Sequence, residues 1–190
     1  MKFLTTFILG LIALAWLRVD GSETKSVSGP VSYATSTEVE VSAPATSTNA
    51  LAVRAVDGDT IVVRIDGMTE DAKVRLLGID TPESVDPRKP VQCFAKEASK
   101  YTASMIEGKR IRLDADPKAD EVDKYGRLLR NIILADGTDL NAELVRDGYA
   151  YAYLSFPLDA RRKAELTRLQ EEAKTAERGL WSPETCNGIH

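Results

Sequence analysis

Apolar residues come in short runs between positions 50 and 80. Ala50–Val56 (ALAVRAV), Thr60–Ile65 (TIVVRI) and Ala72–Ile79 (AKVRLLGI) are rich in β-branched residues and are separated by DGD and DG turn signals. Runs of this kind predict three strands, the first two as a hairpin. From Phe94 to Ile106 (FAKEASKYTASMI) the apolar and small residues switch to helical spacing, and Gly108 ends the element. Lys109–Ala115 (KRIRLDA) and Arg127–Gly137 (RLLRNIILADG) return to strand character, the second closing in a turn. DLNAELVRDGYA predicts a short helix stopped by Gly148. LDARRKAELTRLQEEAKTAERGLW predicts a long amphipathic helix, with Asp159 as N-cap and Gly179 as stop. Three strands, a helix, two strands and two helices make an α+β chain, mainly β. The order fits a small five-stranded barrel with three helices better than a parallel sheet.

The ends of the chain read differently. Lys2, the apolar run Phe3–Ala15 and the small-x-small triplet Ala13-Leu14-Ala15 have the layout of a signal peptide. The apolar stretch Phe3–Leu17 falls short of the roughly 20 residues that span a bilayer. Export with cleavage is therefore favoured over an uncleaved membrane anchor. Residues 23–50 hold 11 Ser and Thr, two prolines and one aromatic, which marks a disordered linker. The expected organisation is 1–22 signal peptide or anchor, 23–50 linker, 51–183 domain and 184–190 C-terminal tail.

Composition narrows the chemistry. The net charge is −4, and from Leu51 onward 22 Lys and Arg face 25 Asp and Glu, so a broad polyanion-binding surface is not expected. The one histidine is His190, at the last position, which argues against a Ser-His-Asp triad or a histidine metal cluster. Two cysteines exclude a Cys₄ zinc site. In an exported chain, Cys93 and Cys186 suggest one disulfide, with two free thiols as the alternative. Catalysis here would fall to carboxylates, arginines, lysines, hydroxyls or an oxygen-bound metal.

Four stretches concentrate such residues: VDGDTI (Val56–Ile61), RLLGIDTPE (Arg75–Glu83), DKYGR (Asp123–Arg127) and NAELVRDGYA (Asn141–Ala150). Each has a plain structural reading. DGDT suits a hairpin turn, DTPE suits a helix start, and Arg127 suits a solvated turn. Tyr149, Tyr151 and Tyr153 suit half-buried strand positions. None of these readings explains why the stretches occur together.

Jointly, in this order and spacing, the stretches resemble the thermonuclease (staphylococcal-nuclease-like) family, from about Leu51 to Trp181. The resemblance implies an OB-fold five-stranded barrel with three helices. It implies hydrolysis of phosphodiester bonds in DNA and RNA with one calcium ion. Asp59, Asp80 and the carbonyl of Thr81 carry over as metal ligands. Arg75, Glu83 and Arg127 carry over as the catalytic group. Lys124 and Tyr125 carry over as phosphate-contacting residues, and Tyr153 is a candidate stacking platform for bases. The remaining reading is a noncatalytic OB-fold module that binds nucleic acid or protein. No obligate protein partner is implied, and a monomer is expected.

The chemistry of these residue types is coherent. Calcium takes oxygen ligands, and two aspartates with one carbonyl leave room for water and a phosphate oxygen. Arginine forks onto nonbridging phosphate oxygens. Glu83 is the nearby group able to orient or deprotonate water. Asp59, Asp80 and Glu83 against Arg75 and Arg127 leave a net charge of −1, which a divalent ion turns to +1. One conflict stands out. Arg75 and Asp80 lie five positions apart, so a flat strand would send them to opposite faces. A bend near Gly78 is required if both serve one site.

Overall fold

A computed structural model describes residues 47–88 and 90–189. The expected signal peptide or anchor (1–22) and the linker up to residue 46 lie outside the described residues. Five strands close into a barrel in the order β1 (Ala50–Ala55), β2 (Thr60–Ile65), β3 (Asp71–Leu76), β6 (Leu128–Leu134) and β5 (Arg110–Asp114). All pairs are antiparallel except β3 with β6, and β1 against β5 closes the ring. A bulge between Ala52 and Arg54 adds twist to β1, as closure requires. Two short strands, β4 (Ile79–Asp80) and β7 (Tyr151–Ala152), form a separate pair. The helices are α1 (Ala95–Ile106), α2 (Leu140–Arg146) and α3 (Ala160–Thr175). This is the expected α+β barrel with three helices, consistent with an OB fold.

Alternation fills the interior. Ile61, Val63, Val74, Leu76, Ile111, Ile132 and Leu134 are buried and join one cluster with Leu140, Leu144, Leu166 and Leu169 from the helices. Each of two helices starts where the sequence indicates. Asp139 accepts from the Ala142 amide and Asp159 from the Arg161 amide, so each satisfies an otherwise unpaired N–H. Asn49, placed in the linker by composition, accepts from the Leu113 amide with Oδ1 at 2.9 Å.

Two expectations need correction. The third strand does not run unbroken from Ala72 to Ile79. It ends at Leu76, turns at Gly78 with φ +74°, and resumes as β4. A Cβ at Gly78 would lie 2.6 Å from Leu166 Cδ1 and 2.8 Å from Leu158 Cδ1, so α3 packs onto the bare bend. Gly179 does not stop the long helix either. That helix ends at Thr175, and Gly179 opens a short 3₁₀ turn through Trp181. Gly179 and Gly148 instead touch backbone to backbone. A Cβ on Gly148 would lie 2.2 Å from the Arg178 carbonyl oxygen, and Leu180 donates to the Gly148 carbonyl at 2.8 Å.

The bend at Gly78 is tightly bonded. Arg75 Nη1 donates to the Leu76 and Ile79 carbonyls, both at 2.8 Å. Buried Asn141 donates to the Leu77 carbonyl at 2.9 Å, and the Tyr153 amide donates to the Gly78 carbonyl at 2.8 Å. Four consecutive carbonyls are thus satisfied where a strand ladder would have supplied partners. The remaining Arg75 amino group, Nη2, lies 2.8 Å from Asp80 Oδ1 and 3.2 Å from Asp59 Oδ2.

The expected Cys93–Cys186 disulfide is present, and no described cysteine is free. It closes a loop with a sequence separation of 93 residues.

Two outcomes follow. Loss of the disulfide by reduction is expected to lower the unfolding free energy by up to about 4–5 kcal/mol, the chain-entropy value for a loop of this length. Urea unfolding with and without reductant measures it, and coincident curves would contradict it. Arg75→Met is expected to cost about 3 kcal/mol or more, because buried Asp59 loses its cation and two carbonyls lose their donor. Urea unfolding in chelator tests this, and a loss under 1 kcal/mol would show that the bend does not depend on Arg75.

Candidate active site

The DGD turn between β1 and β2 delivers the first carboxylates. Asp57 Oδ1 accepts from the amides of Asp59 and Thr60 at 3.0 and 2.7 Å, which folds the turn back on itself. Gly58 admits a close neighbour, since a Cβ there would lie 2.7 Å from the Thr81 side chain. Thr102 of α1, fully buried, donates to the Gly58 carbonyl at 2.7 Å and fixes the turn from below. Asp59 then faces Thr81. Its Oδ2 accepts from the Thr81 amide at 2.8 Å and hydroxyl at 3.1 Å. Burial and the neighbouring Asp59 carboxylate push the Asp57 carboxyl up to about 6.

The bend at Gly78 resolves the conflict between Arg75 and Asp80. By changing chain direction after Leu76, it returns Asp80 to the guanidinium five residues earlier. Arg75 is 7% exposed, and both Nη1 protons are committed to carbonyls. It does not present an open two-nitrogen fork. Nη2 faces Asp80 and Asp59, which leaves Nε as its remaining face.

Arg127 arrives from the turn before β6. Asp123 builds that turn, with Oδ1 accepting from the Tyr125 and Arg127 amides and Oδ2 lying 2.7 Å from both Nε and Nη2 of Arg127. Burial works to raise the Asp123 carboxyl, but the Arg127 and Tyr125 bonds hold it below the usual carboxylate range. Arg127 Nη1 reaches Thr60 Oγ1 at 3.2 Å. The Lys124 ammonium and the Arg127 guanidinium both lie over the exposed Tyr125 ring, at 5.0 and 5.4 Å.

Glu83 enters from the loop after β4. Its Oε1 accepts from the Val85 and Asp86 amides at 2.7 and 3.0 Å, and Oε2 has no hydrogen-bond partner among the described residues.

Asp59, Asp80, Thr81, Arg75, Glu83, Arg127 and Tyr125 line one cleft of about 800 Å³. An adjoining groove of about 500 Å³ carries Lys124, Tyr153 and Phe156 and shares Arg75, Asp80, Tyr125 and Arg127 with the cleft. Tyr153, 43% exposed, meets Phe156 edge-on at 5.2 Å. The other two tyrosines are structural. Tyr149 stacks between Phe94 and Tyr101, and Tyr151 bonds the Ile189 carbonyl.

The donor set suits a hard cation. Carboxylate oxygens of Asp59 and Asp80 already converge on one cationic nitrogen, that of Arg75. Among the described residues no three acidic, histidine or cysteine side chains come together as a metal cluster.

Several contributors were missed in the sequence. Lys73 shares the Arg75 face of β3 and lines the cleft, and the two-residue spacing was signal enough to find it. Thr102, Asp123 as the clamp of Arg127, and Gln92 (beside Glu83) have long-range or turn contacts that no local pattern announces.

The family of staphylococcal nuclease homologues matches residues 73–183. The thermonuclease of Staphylococcus intermedius is 38% identical over 133 residues, 69% of this chain and 74% of that protein. The thermonuclease of Staphylococcus hyicus is 35% identical over 131 residues, 68% and 73% of the two chains. Endonuclease YncB of Bacillus subtilis is 33% identical over 129 residues, 68% of this chain and 59% of that protein. Barrel, cleft and sequence agree: the chain belongs to the staphylococcal nuclease family and is a nuclease of the thermonuclease type.

Proposed function

We propose that this nuclease is exported and calcium-dependent, and that it hydrolyses phosphodiester bonds in DNA, RNA or both as a monomer. The observation that supports this best is the convergence of Asp59, Asp80, Arg75, Arg127 and Glu83 on one cleft. The names of its relatives, thermonuclease and endonuclease, agree with that chemistry. A disulfide suits an oxidising compartment, which supports export by the leader at 1–22.

In this reading Asp59, Asp80 and the Thr81 carbonyl would hold the ion. When bound, calcium supplies a Lewis acid at the phosphoryl oxygen and offsets the negative charge of the cleft. Arg127 binds a nonbridging oxygen through Nη1, with Asp123 keeping the guanidinium in place. Arg75 adds a contact through Nε, its Nη2 being held by Asp80 and Asp59. These cations favour the transition state, where charge on the phosphoryl oxygens builds up. Glu83 orients the attacking water through Oε2, while Oε1 is fixed by the two loop amides. The water oxygen bonds to phosphorus as the ester P–O bond breaks; Glu83 accepts the water's proton or directs it to solvent, and the leaving oxygen takes up a proton from solvent to become the alcohol. Lys124, Tyr125 and Tyr153 line the groove where the next nucleotides lie, and the Tyr153 ring offers a stacking face.

Digestion of plasmid and RNA is expected with calcium and to be lost in chelator. Glu83→Gln is expected to lower kcat by about 10²-fold or more. Binding of a labelled oligonucleotide is expected to weaken at least about tenfold in chelator, since the site then loses two positive charges next to phosphate. Equal binding with calcium and with chelator would refute the electrostatic role, and binding without any cleavage would refute catalysis.

A further inference from the structure

We propose that Gln92 is a positioning residue for Glu83 and that the Cys93–Cys186 disulfide anchors it. This rests on the reading of Glu83 given above. Glu83 stands at the start of the irregular segment between β4 and α1. Such segments open readily unless their backbone is tied down. Here the tie is reciprocal. The Glu83 amide donates to Gln92 Oε1 at 2.5 Å, and the Gln92 amide donates to the Glu83 carbonyl at 3.0 Å. The loop is thereby pinched shut at its ends. Gln92 does not line the cleft, and its side chain bonds the Glu83 amide.

The neighbour of Gln92 is covalently held. Cys93 is bonded to Cys186, which is 5% exposed. The segment carrying Cys186 is docked: Gly188 donates to the Leu180 carbonyl at 2.7 Å and Tyr151 Oη to the Ile189 carbonyl at 2.9 Å. Phe94, next in sequence, stacks on Tyr149 with ring centroids 5.4 Å apart. A continuous path therefore runs from the C-terminal segment through the disulfide and Gln92 to the backbone of Glu83. The aspartates take no part in it, because Asp59 and Asp80 are held by the barrel turn and the Gly78 bend. The clasp should therefore govern turnover and leave ion and substrate binding alone.

Gln92→Met keeps the side-chain length and removes the acceptor. It is expected to lower kcat at least about tenfold, as small displacements of reacting groups do, with KM and the calcium midpoint within twofold. Gln92→Glu restores an acceptor and is expected to recover most of kcat. Cys93→Ser combined with Cys186→Ser should lower kcat in the same direction, again at constant KM. The deciding measurement is Gln92→Met in the Glu83→Gln background, where no further loss is expected. An equal loss there, or wild-type kcat for Gln92→Met alone, overturns the proposal. Equal losses in the Met and Glu variants overturn it too. Full activity of Glu83→Gln by itself instead overturns the role of Glu83.

Discussion

One guanidinium, that of Arg75, holds the bend on which the site depends. A strand that ends its ladder at Leu76 exposes carbonyls to a dry interior, where unpaired polar groups are costly. Arg75 answers with Nη1 on the carbonyls to either side of Gly78 and Nη2 toward two carboxylates. Asn141 and the Tyr153 amide complete the set. Without the bend, Asp80 would point away from Arg75. With it, the carboxylate of Asp80 and the carboxylate of Asp59 share one cation. The bend also gives Leu158 and Leu166 a surface without a side chain to pack against, so the outer helix and the site are fixed by the same kink.

This arrangement concentrates negative charge. Asp57, Asp59 and Asp80 lie around one arginine, and burial together with the Asp59 carboxylate raises the Asp57 carboxyl. A sequence optimised for stability alone would not gather them. The pattern is intelligible under the proposed calcium dependence, in which Asp59 and Asp80 would serve as ligands of a cation. The arginines are handled the same way. Each is braced by carboxylates, Arg75 by Asp59 and Asp80 and Arg127 by Asp123, which holds its side chain in place.

Local elements were legible where one physical rule dominates. β2 is Thr60–Ile65 as the apolar run indicates, and Asp159 caps its helix as its side-chain chemistry predicts. Glycine was read less well, because its position has two uses. Gly179 has the look of a helix stop, yet it is glycine because Gly148 comes within backbone contact of it. Gly78 sits inside an apolar run, and only the parity of Arg75 and Asp80 gave its bend away. The site residues were legible as a set through the joint spacing of the motifs. Their supports were not. Thr102 meets Gly58 and Gln92 meets Glu83 by tertiary packing, and a side chain forty-four residues from its partner leaves no local trace.

The disulfide fits this division between rigid and loose parts. Asp59 and Arg75 sit on or beside barrel strands, whose ladders hold the backbone over many bonds. Glu83 has no ladder. Its loop runs through Pro87 and Pro90, with Val85 and Val91 exposed, and gains little from burial. In the role proposed for Glu83 its carboxylate must be held closely, and the loop then needs restraint from elsewhere in the chain. The cross-link from Cys93, one residue from the clasp, to a segment docked on Leu180 and Tyr151 is the proposed restraint. The Val85 and Asp86 amides then fix the Glu83 carboxylate from within the loop, so backbone and side chain of Glu83 are held by separate bonds.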